Sequence, residues 1–232
     1  GMEVVVTGKI TTWSKFKTTY QIDIDKVELA GEGALLKLIE DRKKRLKDKG
    51  IFDTVHKCTL PFLPNKIGVI TSPTGSVIHD IINRIQDRFP TNIDVWPVAV
   101  QGPDASETII AAIKGFNSDI FQDKPDVIII ARGGGSAEDL MAFNDEKLAQ
   151  VVFESTIPII SAIGHETDTT IIDYVSDFRA STPTAAAEKV VPVRIDLDRI
   201  IDNLSQRLSY CIQNDFTKYN DQLINLSKFL KE

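Results

Sequence analysis

The chain has 232 residues, 42% of them apolar and 26% charged, with a formal net charge of −6. This globular composition excludes a collagen-like, disordered or wholly coiled-coil chain, and a body of this length buries about 70% of its unfolded surface without metal or disulfide support. The acidic balance excludes a generally polyanion-binding surface, so any nucleic-acid site must be local.

No apolar run reaches the roughly 18 residues that a membrane span needs. Cys58 and Cys211 are the only cysteines, too few for a zinc cluster or a secreted disulfide scaffold, which points to a reducing cytoplasm. Gly1 ahead of Met2 reads as a scar of tag removal, and no basic-then-apolar leader follows, so the chain is expected to be an excised fragment.

In chain order, Val4 to Ile10 and Tyr20 to Leu29 alternate apolar and polar residues, the pattern of a β-hairpin. A helix follows over Ala34 to Lys49, with Leu35, Leu38, Ile39, Arg42 and Leu46 at helical spacing and Gly50 just past its end. Its run Arg42, Lys43, Lys44, Arg45, Lys47 and Lys49 is the densest positive segment, read first as a solvated helix face.

From Lys66 the pattern changes to continuous apolar runs: Ile67 to Thr71, Ile93 to Val100, Val127 to Ala131 and Ile157 to Ile163. Unbroken Val and Ile runs suit strands buried on both faces, with helices as crossovers. The fold class is therefore α/β: a mainly parallel sheet of four or more strands with helices on both faces, preceded by the hairpin. After Pro192, apolar residues from Leu197 to Leu230 recur every three or four positions, which predicts one long amphipathic helix to the last residue. Packing on its own domain and docking a partner as a coiled-coil arm compete evenly for it.

In parallel α/β sheets ligands bind beyond the carboxyl ends of the strands, so the exit loops are where chemistry is expected. The first, Ser72-Pro73-Thr74-Gly75-Ser76, enters a helix carrying His79 and Asp80. Ser72, Thr74, Gly75 and Ser76 offer hydroxyls and amides to a phosphate, though Ser76 reads equally well as a plain cap and Asp80 as a dipole partner. The loop after Val127 to Ala131 is Arg132-Gly133-Gly134-Gly135-Ser136, entering a helix expected to open with Ala137, Glu138 and Asp139. Glycines expose backbone N–H groups to a phosphate and Arg132 can fork onto its oxygens; the Lys and spacing of an ATP-binding loop are absent.

The fourth run leads into Gly164-His165-Glu166-Thr167-Asp168-Thr169-Thr170. His165 and Asp168, three apart, share a face if a helix begins there, the arrangement in which a carboxylate orients an imidazole; a lone histidine is more often structural. Thr169 stands where a zinc-protease helix needs a second histidine, and no metal site is assigned, although Asp80, Asp139, Asp168 and Asp173 offer oxygens to Mg²⁺. Thr182-Pro183 starts a further helix, whose alanine run is read as a narrow packing face.

Together, IGVITSPTGSVIHDI, ARGGGSAEDLMAFNDE, IPIISAIGHETDTTIIDYVSDFRASTPTAAAE and the earlier AGEG with its helix ending KGIFD resemble the large subunit of exodeoxyribonuclease VII. The resemblance implies a nuclease that degrades single-stranded DNA from both ends to short oligonucleotides with 5′-phosphates, without a required divalent metal, assembled with several copies of a small helical subunit. It implies catalytic roles for Asp80, Arg132, His165 and Asp168, beside the phosphate-holding part read above for Ser72, Thr74, Gly75, Ser76, Gly133, Gly134, Gly135 and Ser136. Met141 stands where that family often has Trp.

It also implies the division 1–30 as the end of an OB-fold, 31–65 as a linking helix and loop, 66–192 as the α/β catalytic domain and 193–232 as the start of a coiled-coil segment. With most of the OB-fold missing, the fragment is expected to bind DNA weakly. Two other classes stay open: a non-catalytic phosphate-binding scaffold, and a Mg²⁺-dependent phosphotransferase or nuclease.

Overall fold

The computed structural model describes residues 4–14, 18–29, 32–119, 123–134, 139–164 and 169–230. The hairpin pairs β1 (Val4–Ser14) with β2 (Thr18–Leu29), each strand running further towards the turn than the alternation predicts. Its register shifts between Thr7 and Gly8, where a Cβ on Gly8 would lie 2.2 Å from the Asp23 carbonyl oxygen. Only glycine permits that approach.

Helix α1 (Glu32–Asp48) ends as predicted at Gly50, whose φ of +74° turns the chain back. Gly50 N–H bonds the Lys47 carbonyl and Ile51 N–H the Leu46 carbonyl, the paired bonds that close a helix through a left-handed glycine. The basic run on α1 is only partly a solvated face. Arg42 Nη1 donates to the Asn144 carbonyl at 2.8 Å, Lys43 Nζ reaches the Tyr174 hydroxyl at 2.8 Å and lies over its ring, and Arg45 pairs with Glu146. With Leu46 fully buried beneath them, these contacts dock α1 on the α/β layer; Lys44, Lys47 and Lys49 remain exposed.

A strap with a 3-10 turn at Thr54–His56 leads into β3 (Lys66–Thr71), α2 (Ser76–Arg88), β4 (Asn92–Pro97), α3 (Ala105–Asn117) and β5 (Val127–Ala131). After a 3-10 turn at Met141–Asn144 come α4 (Glu146–Phe153), β6 (Ile159–Ala162), α5 (Ile171–Val175), β7 (Phe178–Arg179), α6 (Pro183–Val190) and α7 (Arg194–Phe229). The sheet is parallel throughout, in the order β4-β3-β5-β6-β7. The fifth strand escapes the sequence reading because it is two residues long and carries no apolar run.

Successive residues of the central strands feed opposite layers. Ile67, Val69, Val127, Ile129 and Ile160 pack under α2 and α6, whereas Ile70, Ile128, Ile130 and Ile159 pack under α3, α4 and α5. This explains the unbroken Val and Ile runs of β3, β5 and β6, which are covered on both faces, whereas the edge strand β4 is partly exposed, with Val95 at 39%. The alanine run of α6 does lie against α2, with Ala186 and Ala187 fully buried, and Thr182 caps the helix by accepting from Ala185 N–H at 3.0 Å, with Pro183 in the first turn.

Helix α7 is continuous to Phe229 and does not pack its apolar stripe on the rest of the chain: Leu208 is 62% and Phe216 78% exposed. No helix among the described residues is long and apolar enough to cross a membrane.

Candidate active site

The chain leaves β3 for β4 on one side, then crosses back past β3 to β5 on the other, so α2 and α3 lie on opposite faces of the sheet. A crevice must open where the order reverses, at the carboxyl ends of β3 and β5. A cavity of about 350 Å³ lies there. Thr71, Ser72, Gly75, Ser76 and Val77 line it from the β3 exit and the start of α2, and Arg132, Gly133 and Gly134 from the β5 exit.

Arg132 is the charged group of this cavity. Its N–H donates to the Ala162 carbonyl at 3.1 Å, which extends the β5–β6 ladder by one rung and fixes the residue at the rim. Its guanidinium is 4% exposed, with Nη2 3.3 Å from Asp139 Oδ2. Nη1 is buried and has no hydrogen-bond partner among the described residues. A desolvated N–H of a cation left unpaired is costly, and an anionic oxygen is the partner that satisfies it best. Among the described residues, a Cβ at Gly133 would meet Val77 at an ordinary 3.5 Å, so this glycine is not making room for a described neighbour.

Ser76 is not the cap of α2. Gly75 holds that position in extended conformation, and Ser76 is the first helical residue and lines the cavity. The N–H groups of the first turn are therefore not consumed by a side-chain cap, as an anion site requires. Thr74 does not line the cavity; its hydroxyl lies 3.3 Å from that of Ser72. Asp80 is exposed and stands outside the lining, one turn beyond Ser76 on the same face of α2. Gly135, Ser136, His165 and Asp168 lie outside the described residues.

The helix expected to open at Ala137, Glu138 and Asp139 begins later. Ala137 and Glu138 lie outside the described residues, Asp139 stands in a turn, and α4 starts at Glu146 with Asp145 as its cap, accepting from Lys147 and Leu148 N–H. Between them the buried side chain of Asn144 ties two exit loops together: Nδ2 donates to the Leu140 carbonyl at 3.3 Å and Oδ1 accepts from Ile171 N–H at 2.8 Å.

Asp173, offered by the sequence to a cation, is occupied by protein donors. Oδ1 accepts from Ser161 Oγ at 2.5 Å, and Oδ2 from the N–H and hydroxyl of Thr170 at 2.8 and 2.9 Å. The Arg179 guanidinium lies 3.8 Å from the same oxygen. Asp173 thereby joins Ser161 in β6 to Thr170 at the start of α5. Among the described residues, no three His, Cys, Asp or Glu side chains gather as a metal-holding group.

Sequence reasoning missed Ala99, Val100 and Gln101, which complete the cavity from the β4 exit. The carboxyl-end rule that picked the other loops applies to this one as well. It also missed Asn144, a lone polar residue in an otherwise apolar stretch, whose partner is 27 positions away.

A family model described as "Exonuclease VII, large subunit" matches residues 51–232. The chain is 55% identical over 221 residues to the exodeoxyribonuclease 7 large subunit of Mesorhizobium japonicum, covering 94% of this chain and 42% of that protein. Against the same-named proteins of Sinorhizobium fredii and Bartonella quintana, identity is 56% over 213 residues and 52% over 226, covering 90% and 96% of this chain and 40% and 47% of theirs. The chain thus spans less than half the length of these relatives. With the family model covering the whole α/β layer and α7, the chain belongs to the exonuclease VII large-subunit family.

Proposed function

We propose that this chain carries the hydrolytic centre of a nuclease that degrades single-stranded DNA from both ends to short oligonucleotides. The supporting observation is Arg132: a buried guanidinium whose Nη1 has no hydrogen-bond partner among the described residues, in a cavity rimmed by glycine backbone and a helix amino terminus. Such a cavity suits the non-bridging oxygens of a phosphodiester, on which charge grows as water attacks phosphorus.

In this reading Ser72, Ser76, Gly133 and Gly134 hold the phosphate beside Arg132, with Gly135 and Ser136 continuing that loop. His165 moves a proton between the attacking water and the leaving oxygen, Asp168 tunes it, and Asp80 orients water from its exposed turn of α2. Water adds to phosphorus, the bond to the 3′ oxygen breaks, and the products carry a 3′-hydroxyl and a 5′-phosphate. No divalent cation is required; turnover persisting in excess chelator checks this, and its loss would restore the Mg²⁺-dependent alternative. The complete enzyme pairs the full-length large subunit with a small helical subunit on the helical arm that α7 begins.

The test is the full-length large subunit, assembled with its small partner, carrying Arg132→Met or His165→Gln and assayed for release of acid-soluble oligonucleotide. Both are expected to lose turnover while remaining folded. Unchanged release by either removes that residue from the chemistry.

A further inference from the structure

We infer that the β4 exit, Ala99 to Gln101, seats the nucleoside adjoining the phosphate held by Arg132, so the cavity binds one nucleotide unit rather than a bare phosphate. This rests on the hydrolytic reading given above and extends it to a wall that nothing in that reading uses.

The phosphate-type groups all belong to the β3 and β5 exits. The β4 exit contributes groups of another kind: Ala99, Val100 and Gln101. Apolar carbon facing a site that already holds a cation and a helix terminus has no use for a bare, fully hydrated anion. It suits the flat face of a base or a deoxyribose, whose carbon it desolvates. Gln101 adds a side-chain amide with both donor and acceptor, able to meet the polar edge of a base.

The wall is held in place. Val98 N–H bonds the Thr71 carbonyl at 3.1 Å, continuing the β3–β4 ladder past the last strand residue, and the Thr108 hydroxyl reaches the Ala99 carbonyl at 3.3 Å. Gly102, with φ +92°, then turns the chain into α3. The cavity volume of about 350 Å³ leaves room beyond a phosphate.

The experiment compares the full-length, assembled enzyme on two single-stranded oligonucleotides, one intact and one with abasic sites throughout its cleavable stretch. Wild type is expected to show a KM about tenfold lower for the intact strand, the worth of a modest apolar contact and one base-edge bond. Ala99→Phe fills the seat from an exposed position, and Gln101→Ala removes the amide; in each, the ratio of the two KM values is expected to fall towards one, with thermal stability kept. Equal KM values in wild type, or a ratio that neither variant moves, overturns the inference. Failure of the underlying reading looks different: Arg132→Met would then turn over both strands as wild type does.

Discussion

The side-chain carbonyl of Asn144 accepts the N–H of Ile171 at 2.8 Å, joining the loop that follows β5 to the first residue of α5. Its own backbone carbonyl receives Arg42 from α1. One buried amide thus connects the linking helix, the exit that presents Arg132 and the far end of the segment holding His165 and Asp168. Asn144→Ala leaves the Ile171 N–H without its partner and should cost about 1–3 kcal/mol in denaturant unfolding. Asn144→Asp keeps the acceptor but not the donor to Leu140, and should recover part of that loss. Equal stability of wild type and Asn144→Ala would show that the loops hold without it.

Arg132→Met keeps the buried carbon and removes the charge. In the full-length enzyme it should lower kcat by about a hundredfold or more, the usual effect of deleting one donor to a developing oxyanion. It should also abolish competitive inhibition by inorganic phosphate. Melting temperature checks that the fold survives, because the ion pair to Asp139 at 3.3 Å reaches a half-exposed carboxylate and contributes little.

The sheet layers are close-packed at Gly115, where an added Cβ would sit 2.1 Å from the Trp96 ring. Gly115→Ala forces that ring off its edge contact with Phe116 and should destabilise the domain by about 1–3 kcal/mol despite alanine's better helix propensity. A gain in denaturation midpoint would contradict this packing.

Thr182→Ala removes the oxygen that accepts Ala185 N–H at 3.0 Å and should cost about 1 kcal/mol. Thr182→Ser restores the acceptor and should return the midpoint to within a few tenths of wild type.

Lys66, at the start of β3, is hydrogen-bonded to Asp123 and Asp94, and these bonds raise its ammonium above the ordinary lysine value, against a smaller desolvation effect that lowers it. A raised folded value means that its contribution is fully present below the unfolded value of about 10.4 and fades as pH climbs through the folded one. Lys66→Met should therefore melt earlier than wild type at neutral pH, with the difference persisting up to strongly alkaline buffer and shrinking there. A difference that instead shrinks between neutrality and mildly acidic pH would assign the effect to other groups.

The parts of this molecule that are periodic were readable in advance. Strand β5 has the predicted bounds because Val127 to Ala131 is apolar without interruption, and α1 stops at Gly50 because only glycine takes that φ cheaply. The Arg132 exit was found by a rule about strand ends, and the structure puts it beside the Ser72 to Ser76 loop. Partners distant in sequence were not readable. Asn144 acts through Ile171, and the basic run on α1 docks through Asn144, Tyr174 and Glu146, contacts that local charge density cannot foretell. Asp80 is exposed on α2 and outside the cavity lining, so nothing local to it marks the part proposed for it.

The strap between α1 and β3 changes what counts as an autonomous folding unit. Asp177 accepts Cys58 N–H with one oxygen and Ile159 N–H with the other, and Asp126 receives the amides of Asn65 and Lys66. Leu46 and Ile51 belong to the same apolar cluster as Ile130 and Phe143. A truncation that starts at Lys66, where the strand pattern begins, would remove the Cys58 donor from Asp177 and the Asn65 donor from Asp126, and would open that cluster to water. A stable piece of the α/β layer therefore has to include the linking helix and the strap, upstream of the sheet they precede.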